Sequence, residues 1–151
     1  MTIPAKIETS RAQLALRVIL GLLMLLAGVG HMTFQRAEFQ AQVPDWLPLS
    51  KDLVVLLSGV VEIGLGAAMV LAGRWAVWVG LALASFYVLI FPGNIHQYVA
   101  GIDAFGLDTD RARFIRLFFQ PVLVAWALWS TGAWQALRGR HNRVVAPEVS
   151  G

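Results

Sequence analysis

The segment LVVLLSGVVEIGLGAAMVLA, residues 53–72, is almost entirely apolar and carries one ionisable side chain, Glu62. A helix that crosses a bilayer needs about 20 mainly apolar residues. Glu62 lies nine residues after the start of the segment, which places it roughly 14 Å deep, near the middle of a core about 30 Å thick. A carboxyl group at that depth costs roughly 2.5–3.5 kcal/mol on insertion scales. The segment therefore predicts a membrane-spanning helix whose Glu62 faces a partner inside the protein.

Three further segments have the same apolar character and length: 14–34, 75–98 and 114–134. The chain of 151 residues is 58% hydrophobic and 14% charged, whereas soluble domains carry about 25% charged residues. Since backbone groups in lipid must be hydrogen-bonded internally and no strand-like alternation is present, the segments are expected to be helices. The prediction is one all-α domain, an integral membrane four-helix bundle surrounded by the lipid bilayer.

The distribution of Lys and Arg predicts the orientation of this bundle. Seven of the twelve lie in the N-terminal tail, the second connection and the C-terminal tail, and five lie in or beside the other two connections. Because cytoplasmic segments carry the excess of positive charge, both termini are expected in the cytoplasm. The basic tail, 138–151, is expected to be disordered or to lie on the membrane surface. The basic residues follow helix ends, so nucleic acid is not an expected partner.

The start of the chain allows two interpretations of the first span. Lys6, Arg11 and Arg17 precede an apolar run, as in a cleaved signal peptide. No convincing Ala-X-Ala site follows, and the run continues to Phe34, so a retained span is favoured. Arg17 lies inside it and is expected to extend back to the lipid headgroups.

The connection 35–52 is long for a helical bundle and contains the sequence VPDWLP. Pro44 and Pro48 prevent a regular helix through it. Trp46, between the prolines, suits the headgroup region, where an indole ring is buried and its N–H stays hydrated. We expect this connection to form a lid on the outer face of the bundle, with Trp46 at the interface.

Polar side chains from all four spans are expected in the outer half of the membrane, where they form a candidate ligand-binding pocket. The upper layer holds His31, Asn94, His96 and Arg116, and the lower layer holds Gln120 and Glu62. By depth, Glu62 is expected to approach Gln120 directly, and Arg116 directly or through water. Pro92 and Gly93 are expected to loosen the third span, and Pro121 to kink the fourth. The alternative is structural: a neutral Glu62 bonded to a neighbouring helix, with the histidines in interfacial water.

Five short stretches give the chain a family resemblance. They are GVGHMTFQ (28–35), VPDWLP (43–48), SGVVEIGLG (58–66), FPGNIHQY (91–98) and RLFFQPVLVAW (116–126). In this order they resemble the DoxX family of small bacterial membrane proteins. The resemblance implies four helices in the bacterial cytoplasmic (inner) membrane. That family takes its name from a small subunit of a thiosulfate:quinone oxidoreductase, and other members are associated with redox-stress complexes.

Three functions remain open at this stage. The first is a membrane subunit or accessory protein of a redox system, with quinone as cofactor and redox-enzyme subunits as partners. Such a chain is not expected to be an enzyme alone, since it has no cysteine and redox chemistry would need a cofactor or a partner. The second is a non-enzymatic assembly or binding module. The third is a small-molecule carrier, which four helices without inverted repeats would support only as a homo-oligomer.

Metal and haem sites are not expected from the same residues. His31 and His96 lie at similar depth and would be the axial ligands of a haem. Both stand at span ends beside proline or loop sequence, which argues against haem.

Overall fold

The computed structural model describes residue 3 and residues 7–145, with side chains described as far as residue 139. All regular structure in this part of the chain is helical, apart from one isolated bridge between Ala104 and Leu107. The helices are α1 (Arg11–Met32), α2 (Arg36–Phe39), α3 (Lys51–Leu71), α4 (Ala76–Val99), α5 (Asp110–Leu117), α6 (Phe119–Ser130) and α7 (Ala133–Val145). Short 3-10 turns cover Gln40–Gln42 and Gly73–Trp75.

Four helical segments are long and apolar enough to cross a bilayer: Arg11–Met32, Lys51–Leu71, Gly73–Val99 and Asp110–Ser130. Their outward side chains are large and apolar, as a lipid environment requires; Leu26, Leu71 and Leu89 are each exposed to 60% or more. The all-helical fold with four such helices is therefore confirmed.

Capping residues determine where three of these helices begin. The hydroxyl of Ser10 accepts a bond from the N–H of Gln13, whose side chain in turn accepts from the N–H of Ser10. Ser50 and Thr109 cap α3 and α5 in the same way through their hydroxyl groups. Because a cap satisfies N–H groups that the first turn leaves free, α1, α3 and α5 begin two to four residues before the predicted spans.

The third span does not loosen where the sequence predicted. α4 continues through Pro92 and Gly93 to Val99, so Asn94 and His96 are helical residues and not the start of a loop. A proline removes one backbone donor and commonly breaks or kinks a helix, but α4 is assigned as one helix across Pro92.

The fourth span is interrupted at Phe118, between α5 and α6. Pro121 explains the position, since it has no N–H to bond the carbonyl group of Leu117, the last residue of α5. α6 then ends at Ser130, before Gly132 with a φ of 77°, and not at residue 134. Residues 138–145, expected to be disordered or to lie on the membrane, belong to α7, and residues 146–151 lie outside the described part.

The spans pack as two antiparallel pairs. In the first, Gly21 of α1 faces Gly66 of α3, and Gly28 faces Gly59. A Cβ atom built at Gly21 or Gly28 would lie 2.8 Å from the carbonyl oxygen of the facing glycine, so only hydrogen fits at these crossings. This close approach of two backbones is typical of membrane helices with small residues at their contact.

The second pair consists of α4 against α5 and α6. Gly80 of α4 leaves room for Thr131, and Asn94 lies beside Gln120 at the other end. The pairs meet over an apolar core that includes Leu20, Met24, Met69, Leu83 and Ala127. We call the end with the C-terminus of α1 and the N-terminus of α3 the cap end, and the opposite end the tail end.

Residues 35–50, the cap segment, pack on the bundle at the cap end. Arg36 forms two hydrogen bonds with Asp52 at the start of α3. The amide of Gln42 donates to the side-chain oxygen of Gln97 on α4 at 3.2 Å, and its carbonyl oxygen occupies the space beside Gly93. The cap segment is therefore held on two spans.

The prolines and tryptophan of this segment differ in exposure. Pro44 and its neighbour Val43 are buried, whereas Pro48 is exposed and Trp46 is 71% exposed. The indole of Trp46 therefore projects away from the bundle.

Candidate functional site

His31 and Glu62 meet inside the contact between α1 and α3. The imidazole Nδ1 of His31 lies 3.0 Å from Oε2 of Glu62, and both side chains are 7% exposed. The contact depends on Gly59, one turn before Glu62, because a Cβ atom there would lie 2.8 Å from the Cβ of His31. The glycine crossing thus brings an imidazole and a carboxyl group together within the membrane span.

In this pair, His31 has a hydrogen-bond partner, whereas Oε2 of Glu62 has none. Nδ1 of His31 also lies 2.9 Å from the backbone carbonyl oxygen of Ala27, one turn earlier in α1. Oε2 of Glu62 is buried and has no partner with hydrogen-bond geometry, although it is within ion-pair distance of Nδ1. A proton on Nδ1 therefore points to Ala27, and the Glu62 oxygen stays open to a further donor.

The cap segment covers the face of the same imidazole. The ring of Phe39 stacks on the ring of His31 with centroids 3.4 Å apart and an interplanar angle of 17°. Phe105, from the connection between α4 and α5, meets Phe39 edge-on at 4.7 Å. The aromatic contacts separate one face of His31 from the solvent beyond the cap end.

A chain of amide hydrogen bonds joins α4 to α6. The side-chain amide of Asn94 donates to Oε1 of Gln120 at 2.9 Å, and Nε2 of Gln120 donates to the backbone carbonyl of Tyr87 at 2.7 Å. Both side chains are buried. Oδ1 of Asn94 has no hydrogen-bond partner, so the chain ends in an open acceptor.

Tyr87 connects the amide chain with α1. Its backbone carbonyl accepts from Gln120, and its hydroxyl group donates to the sulfur of Met24 on α1 at 2.9 Å. The sequence did not indicate a role for Tyr87, because no pattern of residue types reveals a backbone acceptor.

Arg116 and His96 lie at the cap end with unused polar atoms. Nη1 of Arg116 is buried without a hydrogen bond, and its guanidinium lies over the ring of Phe119, 5.8 Å from the centroid. Nε2 of His96 is buried without a hydrogen bond and lies 3.9 Å from Oδ2 of Asp45 in the cap segment. His96 therefore faces the cap segment.

The expected direct pairing of Glu62 with Gln120 is wrong, and among the described residues Glu62 makes no direct ion pair with Arg116. Glu62 approaches His31, while both polar atoms of the Gln120 amide are used by Asn94 and Tyr87. Depth along a span was estimated from residue counts, but rotation about the helix axis decides which neighbour a side chain meets. The facing glycines turn Glu62 toward α1.

Buried atoms without hydrogen bonds are concentrated at the cap end. Most buried polar groups in proteins have a partner, so an unpartnered one calls for water, a ligand or a chemical role. Four candidate residues carry such an atom: Glu62 Oε2, Asn94 Oδ1, His96 Nε2 and Arg116 Nη1. They include both donors and acceptors, which suits a small ligand with polar groups of both kinds.

Charged groups of the cap segment stabilise its position. The ammonium group of Lys51 lies 2.6 Å from Asp45 and, mainly by this hydrogen bond, holds the pKa of that carboxyl below its ordinary value. The hydrogen bonds to Asp52 raise the pKa of Arg36. Both pairs are largely exposed, so each stabilises the cap segment weakly.

In the part of the chain that the structure describes, no three His, Cys, Asp or Glu side chains are grouped as metal ligands. A surface depression lined by Tyr98, Gly101 and Asp110 also lies at the cap end, but none of the candidate residues lines it. We therefore place the candidate site among the polar residues that carry the buried, unpartnered atoms and their neighbours. We call this group the polar layer: His31, Glu62, Asn94, His96, Arg116 and Gln120.

A family model described as "Domain of unknown function (DUF8561)" matches residues 20–131, a range that includes every candidate residue. No curated protein and no solved structure matches the chain.

Proposed function

The chain belongs to the family described as Domain of unknown function (DUF8561), and we propose that it serves a quinone-linked redox system as a membrane subunit or accessory protein. Its part would be to hold a quinone ring in the polar layer of the cap end and to exchange protons with it. Redox-enzyme subunits would be its partners and would supply the electrons. The resemblance to the DoxX family supports this proposal.

The observation that carries the proposal is the carboxyl group of Glu62 beside His31, whose Oε2 is buried without a hydrogen-bond partner. Reduction of a quinone to a quinol consumes two electrons and two protons, so a binding site benefits from a proton donor within the membrane. The open Glu62 oxygen can exchange a proton with a ring bound beside it, while the His31 imidazole lies 3.0 Å away and directs its Nδ1 hydrogen to Ala27. The carboxyl group would therefore provide proton exchange where bulk water is excluded.

The other open atoms fit the two forms of the ring. A quinone carbonyl needs a hydrogen-bond donor, which the buried Nη1 of Arg116 can supply. A quinol hydroxyl needs an acceptor, which Oδ1 of Asn94 can supply. Gln120 orients Asn94 through its own hydrogen bond.

Access for such a ring would be lateral, from the lipid. The glycine crossings hold α1 close to α3, whereas α1 meets α6 and α3 meets α4 over less extensive contacts. An apolar molecule dissolved in the bilayer would enter between the two pairs. The apolar outer faces of the spans place no charged barrier in its way.

We further propose that the chain lies in the cytoplasmic membrane of a bacterium with both termini in the cytoplasm. The Lys and Arg distribution supports this orientation, which makes the cap segment an outer lid. Reporter fusions at Gly73 and Val144 should then give cytoplasmic signals, and one at Phe105 a periplasmic signal. A periplasmic signal at Gly73 would contradict the orientation.

The test of quinone binding is purification in mild detergent, followed by extraction and identification of bound quinones. We expect the wild-type protein to retain quinone, and Glu62→Gln to fold but retain several-fold less. Asp108→Asn is the matched control, because Asp108 is exposed and outside the polar layer. Absence of quinone from all three proteins, with native folding, would overturn the proposal.

The alternative is a non-enzymatic assembly module, and one observation favours it. The bonds from Asn94 to Gln120 and from Gln120 to Tyr87 join α4 to α6 without any ligand. In that case the polar layer would hold the helices in register for a partner. The alternative would be supported if Glu62→Gln folds normally, keeps its partner subunits and contains no quinone.

A further inference from the structure

Arg17 occupies the core face of α1 at the tail end. It is 8% exposed and shares its helix face with the buried residues Gln13, Leu20 and Gly21. The sequence predicted a side chain that extends back to the lipid headgroups. In the structure this side chain starts from the core face of α1 and is almost completely covered.

No described residue neutralises this arginine. Arg17 forms no ion pair or hydrogen bond with the described residues, and its buried Nε has no partner. A guanidinium group stays protonated in proteins. Because an unpaired and largely covered charge is destabilising, an anion within reach of this guanidinium would stabilise the protein.

Neighbouring polar groups cannot take that role. Gln13, one turn earlier, has its amide in use: its oxygen accepts from Ser10 and its nitrogen donates to the carbonyl of Trp129. The opposing part of α3 is apolar, since Gly21 contacts Met69 and Val70. Among the described residues, no anionic side chain is therefore available to Arg17.

The charge at the tail end is strongly positive. The described ionisable residues there are Arg11, Arg17, Arg74, Arg138 and Glu8. Glu8 is exposed and forms no described ion pair. Arg74 and Arg138 lie over the rings of Trp75 and Trp134, and neither forms an ion pair with a described carboxylate. Such a surface attracts anionic lipids.

The position of Arg17 along α1 indicates which kind of anion can reach it. Arg17 lies six residues after the start of α1, about 9 Å along the helix, near the boundary between headgroups and acyl chains. A helical side chain leans toward the N-terminus of its helix, which here is the membrane surface. A phosphate group at the headgroup level would thus come within reach of the guanidinium.

We propose that Arg17 binds a phosphate group at the tail end, in the form of the phosphodiester of an anionic lipid. The planar guanidinium can donate two parallel hydrogen bonds to two phosphate oxygens. Trp126 helps to fix the helix position, because its indole N–H donates to the carbonyl of Leu16, the residue before Arg17, at 3.1 Å. This site is independent of the polar layer and of the proposed redox function.

Native mass spectrometry of the full chain in detergent tests the site. Phosphatidylglycerol is titrated against wild-type protein, Arg17→Gln and the control Arg11→Gln, in which an exposed arginine changes. We expect Arg17→Gln to bind this lipid about tenfold more weakly or worse, as expected for loss of hydrogen bonds to a charged group. Arg11→Gln should bind as the wild type does.

Two further arms identify the source of the phosphate. Phosphatidylcholine should bind more weakly than phosphatidylglycerol, because its choline group offsets the phosphate charge. If inorganic phosphate alone displaces phosphatidylglycerol and needs Arg17, the site takes free phosphate and the lipid assignment is overturned. If Arg17→Gln and the wild type bind each of these phosphate compounds with equal affinity, the site itself is overturned.

A conservative variant covers the case in which Arg17→Gln fails to fold. Arg17→Lys keeps the charge but loses the two-pronged geometry, so phosphatidylglycerol binding should weaken several-fold. Arg11→Lys should leave binding unchanged. Equal binding by the two lysine variants would contradict the role of Arg17.

Discussion

The imidazole of His31 contacts the carboxyl group of Glu62 at 3.0 Å because Gly59 leaves no side chain between α1 and α3. The contact forms inside a membrane span, where neither group has bulk water as an alternative partner. The stability of the bundle and the chemistry of the candidate site thus depend on the same helix crossing.

Gly59→Ala should separate α1 from α3 at this crossing. The new methyl group would lie 2.8 Å from the Cβ of His31, and such overpacking costs about 1–3 kcal/mol. The measurement is reversible unfolding in mixed detergent micelles. Gly64→Ala is the matched control, because a Cβ there meets nothing within 4 Å and alanine favours helix. Equal stability of the two variants would contradict the close crossing.

His31→Ala should destabilise the protein by leaving the buried Glu62 without a neighbouring polar group. Leaving a buried polar group without a polar neighbour costs about 1–3 kcal/mol. Glu62→Gln in the same chain should recover part of this loss, because an amide cannot carry a charge in the buried position. A double-mutant cycle of unfolding free energies measures the coupling, and additive effects would show that the pair does not interact.

Asn94→Ala should destabilise the contact between α4 and α6. It leaves Oε1 of Gln120 buried without a donor, a loss of about 1–3 kcal/mol. Ser85→Ala is the control on the same helix, since Ser85 is exposed. Infrared bands of an isotope-labelled Gln120 side chain would report the lost hydrogen bond. Unchanged bands in Asn94→Ala would contradict it.

The four apolar helices were predictable from hydrophobic length, whereas the first residues of three of them were missed because the Ser and Thr caps before them were not taken into account. The partner of Glu62 was not predictable, since residue counts give depth and not rotation about the axis. One signal was present: Gly21 and Gly28 have the same spacing as Gly59 and Gly66, which predicts two matching crossings. The interruption at Phe118 followed from Pro121, whereas the contact of Phe39 with His31 depends on tertiary structure alone.

The cap segment should respond to acid through Asp45. Lys51 holds the pKa of Asp45 below its ordinary value, so the ion pair stabilises the segment above about pH 4. That stabilisation is lost as the pH falls through the lowered pKa. The fluorescence of the neighbouring Trp46 is obtained by subtracting the spectrum of Trp46→Phe from that of the wild type. This difference should change only below about pH 4.

Asp45→Asn provides the control for this acid response, because it removes the titrating group and leaves Trp46 in place. The fluorescence of this variant should be independent of pH in the acid range. A change in wild type centred well above pH 4, or one that persists in Asp45→Asn, would assign the transition to another group.

The apolar core between the two ends has an electrical consequence. Leu20, Met69 and Leu83 are almost completely buried and lie between Glu62 and the tail end. A proton that the proposed quinone site exchanges at Glu62 would therefore pass between Glu62 and the cap end. Such a proton would cross only part of the transmembrane voltage. Its electrical energy would therefore change by only part of the roughly 2.3 kcal/mol per 100 mV that applies to one charge crossing the whole membrane. Proton uptake by this chain would be voltage-sensitive without making it a proton channel.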